Sequence, residues 1–136
     1  MKFPWHSDKR ESGSGCYEST TTVQSRVMPG VTFAIARMSF DRRLELMRRI
    51  RELARRAEFL AAGQKPEEQM DAALVRAEIE RIYVTWGVKA VSGLKVDGQE
   101  VTAAALAEAA PEELFREALA AVQAETGLTE EQRKNS

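Results

Sequence analysis

The chain has 136 residues, 43% of them apolar and 30% charged, with aromatics at only 7% and a formal net charge of −1. That length fits one domain able to fold without staples, and the near-neutral balance argues against a dedicated polyanion binder. A single cysteine, Cys16, rules out an intrachain disulfide and points to a reducing compartment, the cytoplasm. The near-neutral sum hides an asymmetry: residues 1–65 hold 13 Lys/Arg against 7 Asp/Glu, whereas residues 66–136 hold 7 against 14. No apolar run reaches the roughly 18 residues a membrane-spanning helix needs, and the first residues lack the apolar core of a signal peptide.

Residues 1–22 are rich in Ser, Thr, Gly and charge, a composition that buries too little apolar area to offset the entropy of ordering, so they read as a flexible tail. Order begins at Val23. Val31, Phe33 and Ile35 alternate with Thr32, Ala34 and Ala36 in the period-2 pattern of a half-buried strand, and Pro29-Gly30 marks a type II turn pairing Val23–Met28 with Val31–Ala36. An exposed sheet edge is expected there.

Ser39 suits the N-cap of a helix from Phe40 to Ala62. At 100° per residue Phe40, Leu44, Leu46, Met47, Ile50, Leu53, Ala54, Ala57, Leu60 and Ala61 form one broad apolar face, with the arginines turned away. Phe59 falls on the charged side. Gly63-Gln64-Lys65-Pro66 separates this helix from a second, which runs to about Val84 or Trp86 and carries two apolar stripes. One stripe is Ala72, Val75, Ile79, Ile82, Tyr83 and Trp86; the other is Met70, Ala73, Leu74, Ala77 and Val84. Two stripes predict a helix sandwiched between the first helix and the C-terminal part.

After Gly87, Leu94–Val101 reads as a β-hairpin turning through Asp97-Gly98 in type I′ geometry. Thr102 caps a short helix over Ala103–Ala109, and Pro111 opens a helix to about Thr126 that Gly127 stops. Thr129 with Gln132 has the spacing of a capping box for a last short turn. Together these elements predict a mainly α fold: one small helical domain over residues 23–136, with an N-terminal strand pair and a short β-hairpin.

No catalytic constellation emerges. His6 is the only histidine and lies in the tail, distant in sequence from Cys16 and from any carboxylate cluster, so Ser-His, Cys-His and zinc-type sets are missing. Gly13-Ser14-Gly15 lacks the flanking strand and helix of a phosphate loop. Glu67-Glu68, Glu112-Glu113 and Glu130-Glu131 sit in first helical turns, where the dipole accounts for them. No metal, cofactor or enzymatic activity is expected. Arg42-Arg43, Arg48-Arg49, Arg51 and Arg55-Arg56 are the one basic concentration, but Asp41, Glu45, Glu52 and Glu58 interleave at pairing distances and no aromatic platform for bases accompanies them. A solvated or partner-facing helix is the better reading. Phe59, an aromatic among arginines, has the composition of an interface hot spot, and Phe59, Arg48 and Arg55 are the candidate partner-binding residues.

From Pro29 onward, Pro-Gly-Val-x-Phe, Arg37-Met38-Ser39-Phe40, Arg42-Arg43-x-Glu45-Leu46, Arg51-Glu52-Leu53, Ala77-Glu78-Ile79 and Tyr83-x-x-Trp86-Gly87 resemble small proteins of tailed bacteriophages and prophages. The pattern continues through Val91-Ser92-Gly93-Leu94, Pro111-Glu112-Glu113-Leu114 and Gly127-Leu128-Thr129-Glu130-Glu131. The chain is most similar in this respect to the tail assembly chaperones. The resemblance implies a largely helical, non-enzymatic protein of the infected bacterium's cytoplasm that binds the tape-measure protein before the tail tube assembles and is usually absent from the finished virion. It carries over no catalytic or fixed contact residues. Two other roles remain: a head-tail or tail-tube accessory protein adding its Val31–Ala36 strand to a neighbour's sheet, and a small nucleic-acid-binding regulator using the arginine-rich helix.

Overall fold

A computed structural model describes residues 15–127. The chain runs β1 (Thr20–Gln24), β2 (Thr32–Ala36), α1 (Phe40–Ala62), α2 (Pro66–Gly87), β3 (Val88–Ser92), β4 (Lys95–Val96), β5 (Gln99–Glu100), α3 (Ala103–Glu108) and α4 (Glu112–Thr126). The fold is mainly α, as the periodicity predicts. The tail boundary at residue 22 is corrected: Thr20, Thr21 and Thr22 already pair with Ala36, Ile35 and Ala34. Residues 1–14 of that expected tail, and the Thr129–Gln132 capping box, lie outside the described residues.

The first hairpin differs from expectation in register. Gly30 takes the positive φ of 95° that a type II turn requires, and the Val31 amide donates to Met28 O at 3.1 Å. A type II turn does not continue into the strand twist, so regular pairing starts only at Gln24 with Thr32 rather than at Met28 with Val31. The intervening loop is closed by the Ser25 amide donating to Val31 O at 2.8 Å.

β2 is the middle strand of a three-stranded antiparallel sheet, β1-β2-β3. The edge expected at Val31–Ala36 is therefore covered on both sides, and β1 and β3 are the outer strands. β3 itself has no counterpart in the sequence reading. Its pairing with β2 is interrupted, Ala90 opposing Ala34 while Val88 opposes the next residue, Ile35. The bulge at Lys89 puts Val88 and Val91 on one buried face three residues apart, which breaks the alternation that would mark a strand. Beyond it, Gly93 meets the first hairpin: at φ 83° a Cβ there would stand 2.1 Å from Gly30 O, so only glycine allows the two turns to touch. Asp97 and Gly98, with φ of 52° and 78°, form the expected type I′ turn between β4 and β5.

α1 and α2 form a helical hairpin joined by residues 63–65. Ser39 Oγ accepts from the Arg42 amide at the start of α1, and Gln69 Nε2 donates to the Ala61 and Gly63 carbonyls at its end, satisfying groups that no helix turn can reach. Leu46, Ile50, Ala54 and Ala57 are the buried residues of α1. Phe40, assigned to the same apolar face by periodicity, is instead 78% exposed, since it sits at the rim of that arc in the first helical turn.

The sandwich expected for α2 holds only for its C-terminal half. There Ile79, Tyr83, Val84 and Trp86 join one core with Phe33, Ile35, Leu46, Ile50, Leu106, Leu114, Leu119 and Val122. The N-terminal half is covered on one side alone, by α1, and Met70 and Leu74 are 66% and 61% exposed. The reason is reach: the layer built from α3, α4 and the sheet begins near Ala77, whereas Ala57, Ala72 and Val75 are buried outside the main core, helix against helix. Replacing Ile79 by Ala should lower the unfolding free energy by about 2–5 kcal/mol in chemical denaturation, the range for a packed aliphatic residue. A change near zero would mean that Ile79 faces solvent.

Candidate protein-binding site

Three arginines of the α1 stretch bond within the fold. Arg42 donates through Nη1 to Ser19 O at 2.6 Å and Arg37 O at 2.8 Å, tying the entry of β1 to the start of the helix. Arg43 reaches Thr126 O at 3.4 Å, a cation at the carbonyl end of α4. Arg49 pairs with Glu45 at 3.1 Å, and Glu45 also accepts from Trp86 Nε1 at 3.3 Å. These three arginines serve the fold, which reduces what the helix can offer to a phosphate backbone.

Arg48, Arg55 and Phe59 are the residues that the sequence singles out for partner binding. Spacings of seven and four residues place them within about 40° of one another on the helix surface, roughly opposite Leu46, Ile50 and Ala57, which pack inward. All three are exposed, Phe59 at 77%. The sequence-predicted residues thus share one outward stripe of α1, with Phe59 mostly in water.

A second apolar surface was hidden in the sequence, because Met70, Ala73, Leu74 and Ala77 read as a packed stripe. All four are exposed, and Leu74 borders a shallow groove that Arg56 of α1 lines together with Asp71, Val75 and Glu78. Toward the C-terminus this track runs into a shallow cleft of about 290 Å³ between α2, α3 and α4, lined by Ala77, Leu106, Ala107, Ala110 and Phe115 among others. Two ion pairs cross it, Arg81 to Glu108 at 3.5 Å and Arg116 to Glu80 at 2.9 Å. Nothing but periodicity signalled the track; its exposure follows from where the neighbouring layer stops, which is a tertiary property.

No group of three or more His, Cys, Asp or Glu side chains among the described residues is placed to hold a metal ion, and no helix among them is long and apolar enough to cross a membrane. Cys16 is exposed.

One carboxylate has a structural duty that the sequence does not announce. Glu117 on α4 accepts from Ser25 Oγ at 2.5 Å and from the Arg26 amide at 2.6 Å, while Ser25 Oγ accepts from the Met28 amide at 2.9 Å. The pair of oxygens pins the first hairpin's loop to the last helix. Burial pushes the Glu117 carboxyl up, but the hydrogen bonds from Ser25 and the Arg26 and Val27 amides, with the Arg26 charge, outweigh it and hold the group below its ordinary value.

No family model matches this chain, and neither a curated protein nor a solved structure does.

Because the folded-state pKa of Glu117 is depressed, its contribution to stability is present above the ordinary carboxylate range and is lost as pH falls through the lowered value. Glu117→Gln turns one acceptor into a donor facing another donor, and should cost about 1–2 kcal/mol at neutral pH. Denaturation across an acid series should show the gap between variant and wild type closing as pH drops through the carboxylate range. A gap that stays constant with pH would show that Glu117 acts through packing alone.

Proposed function

We propose that the protein is a non-enzymatic binding protein of the tail assembly chaperone type, which holds a helix-rich tape-measure protein in the cytoplasm of an infected bacterium until tube subunits enclose it. The observation that supports this reading is the two-helix projection built by α1 and α2, whose outward faces carry Phe59, Met70 and Leu74 in water. Exposed large apolar side chains on regular helices are what a helical client with its own apolar stripe can cover. The client exposes such a stripe before assembly and needs it shielded from other copies.

The charged groups beside these residues fit the same purpose. Arg55 and Arg48 lie about one and three turns before Phe59 on its stripe, with Glu52 between them, so the apolar anchor sits beside charged groups that set orientation. A chaperone must also let go. Partly apolar contacts rimmed by exposed charges bind through a few anchors and remain reversible, in contrast to an obligate interface, which is larger and more apolar.

Phe59→Ala should leave the thermal unfolding midpoint essentially unchanged, because the side chain is 77% exposed, and should reduce co-purification of the tape-measure protein encoded with it about thirtyfold in affinity, the effect of losing one interface anchor of roughly 2 kcal/mol. A variant that binds the tape-measure protein as wild type does would remove Phe59 from the site. A variant that melts markedly lower would make it a folding residue.

A further inference from the structure

The three-stranded sheet ends in two outer strands of different character. β3 has a bulge and a charged residue at Lys89, and α3 packs beside it, devices that keep a sheet edge from pairing. β1 has none of them: its sequence is Thr-Thr-Thr-Val-Gln, its register with β2 is unbroken, and among the described residues no strand but β2 pairs with it. Two bonds at the ends of the ladder fix which of its residues face β2. The Arg37 amide donates to Ser19 O at 2.9 Å and the Ser25 amide to Val31 O at 2.8 Å, so residues 19 and 25 face β2, and by the alternation of an antiparallel pair Thr21 and Val23 do too. Thr20, Thr22 and Gln24 therefore turn their N–H and C=O groups to the open side.

This open edge is complementary to itself. Two copies of β1 laid antiparallel about a two-fold axis through Thr22 set Thr20 against Gln24 and Thr22 against Thr22, so every outward amide and carbonyl of these residues meets a partner, while Thr21 meets Val23 on the other face. The same register matches what lies just beyond the strand. Tyr17, 68% exposed with the Arg37 guanidinium 5.6 Å from its ring centre, comes opposite Val27, 42% exposed; the exposed Glu18 comes opposite the exposed Arg26. The other charged groups at these ends are Arg37 and Arg42, both bonded to Ser19 O beside Glu18, and Glu117, which holds the Arg26 amide. Antiparallel pairing brings Glu117 of one copy to the end where the other has Arg37 and Arg42, whereas parallel pairing would set Glu18 beside Glu18 and arginines beside arginines. Thr32, Ala34 and Ala36 of β2, which oppose Gln24, Thr22 and Thr20, add no charge to that face.

From this geometry we propose that β1 pairs with β1 of a second copy of the chain across a two-fold axis at Thr22, joining the two three-stranded sheets into one continuous sheet. The inference goes beyond the proposed function and stands independently of it, since it requires no client and uses none of the outward residues of the α1/α2 hairpin. Because both copies offer the same strand to each other, the contact is isologous and closes at a dimer.

Sedimentation of the full chain over a range of concentrations should give a weight-average mass that rises from 15.2 kDa and levels off at twice that value. Thr22→Pro deletes the amide at the centre of the pairing but none that bonds to β2, so it should weaken the dimer about tenfold or more while circular dichroism shows the chain still folded. Cross-linking reads the register directly and decides the matter if the proline variant does not fold. In a Cys16→Ser background, Thr22→Cys puts two thiols at the axis within disulfide reach and should give a covalent dimer under mild oxidation; Gln24→Cys, whose two copies stand roughly 13 Å apart along the strands, should cross-link about tenfold or more slowly. A wild-type chain that stays monomeric at sub-millimolar concentration overturns the inference. So does a folded Thr22→Pro variant that dimerises as wild type does, or a Gln24→Cys chain that cross-links as fast as Thr22→Cys. Growth past the dimer without a plateau also overturns it, because an isologous contact closes. A monomeric wild type whose capture of a tape-measure protein is lost in Thr22→Pro would assign the edge to that client and end the case for self-association while leaving the proposed function standing.

Discussion

The close approach of α2 to α4 at Gly87 is the constraint on which the rest of the packing depends. A Cβ at position 87 would lie 2.5 Å from Val122 Cγ1, so the last residue of α2 must be bare for α4 to lie against it. That approach brings Trp86, Val84 and Tyr83 into the same core as Leu114, Ala118 and Val122, and it starts β3 at the position where it pairs with β2. One helix end thereby joins the hairpin, the sheet and the C-terminal helices. Filling the site would force Val122 or the helix axis to move, at a cost typical of overpacked cores, about 1–3 kcal/mol.

The same geometry explains why the opposite end of α2 is left uncovered. α3 is short, and α4 packs across the sheet and the C-terminal half of α2, where Glu117 holds it to the first hairpin's loop. Past Ala77 the two long helices have only each other, and they meet through small residues, Ala54, Ala57 and Ala72, with Val75. Small residues let the helices lie close with little side-chain volume between them, so the larger apolar residues of that region, Phe59, Met70 and Leu74, are surplus to the hairpin's own packing and remain on its outside. Structure and proposed binding role are linked at this point.

Much of the fold is legible in the residues because local chemistry decides it. Ser39 and Thr102 cap their helices, accepting from the Arg42 and Ala105 amides; Gly127 ends α4 at φ 64°; Asp97-Gly98 makes its hairpin turn. What is not legible depends on partners distant in sequence. The bulge at Lys89 disguised β3 by giving its buried valines a spacing of three, and the register of the first hairpin depends on a turn type together with Glu117, some ninety residues away. Of the candidate site, Phe59, Arg48 and Arg55 could be placed on one face by helical geometry alone. Met70 and Leu74 could not be read as exposed, because an apolar stripe looks the same in sequence whether or not a layer covers it.

The proposed binding role requires that the outward apolar residues of the α1/α2 hairpin, Phe59, Met70 and Leu74, contribute little to folding. It is tested most directly by equilibrium urea unfolding of a triple variant, Phe59→Ser, Met70→Gln and Leu74→Gln. Surface changes of this kind are expected to shift stability by no more than about 0.5 kcal/mol each, so the unfolding free energy should stay within roughly 1.5 kcal/mol of wild type with an unchanged slope. A loss of about 4 kcal/mol or more, the scale of several buried side chains removed, would show that these residues belong to the core and would contradict the claim.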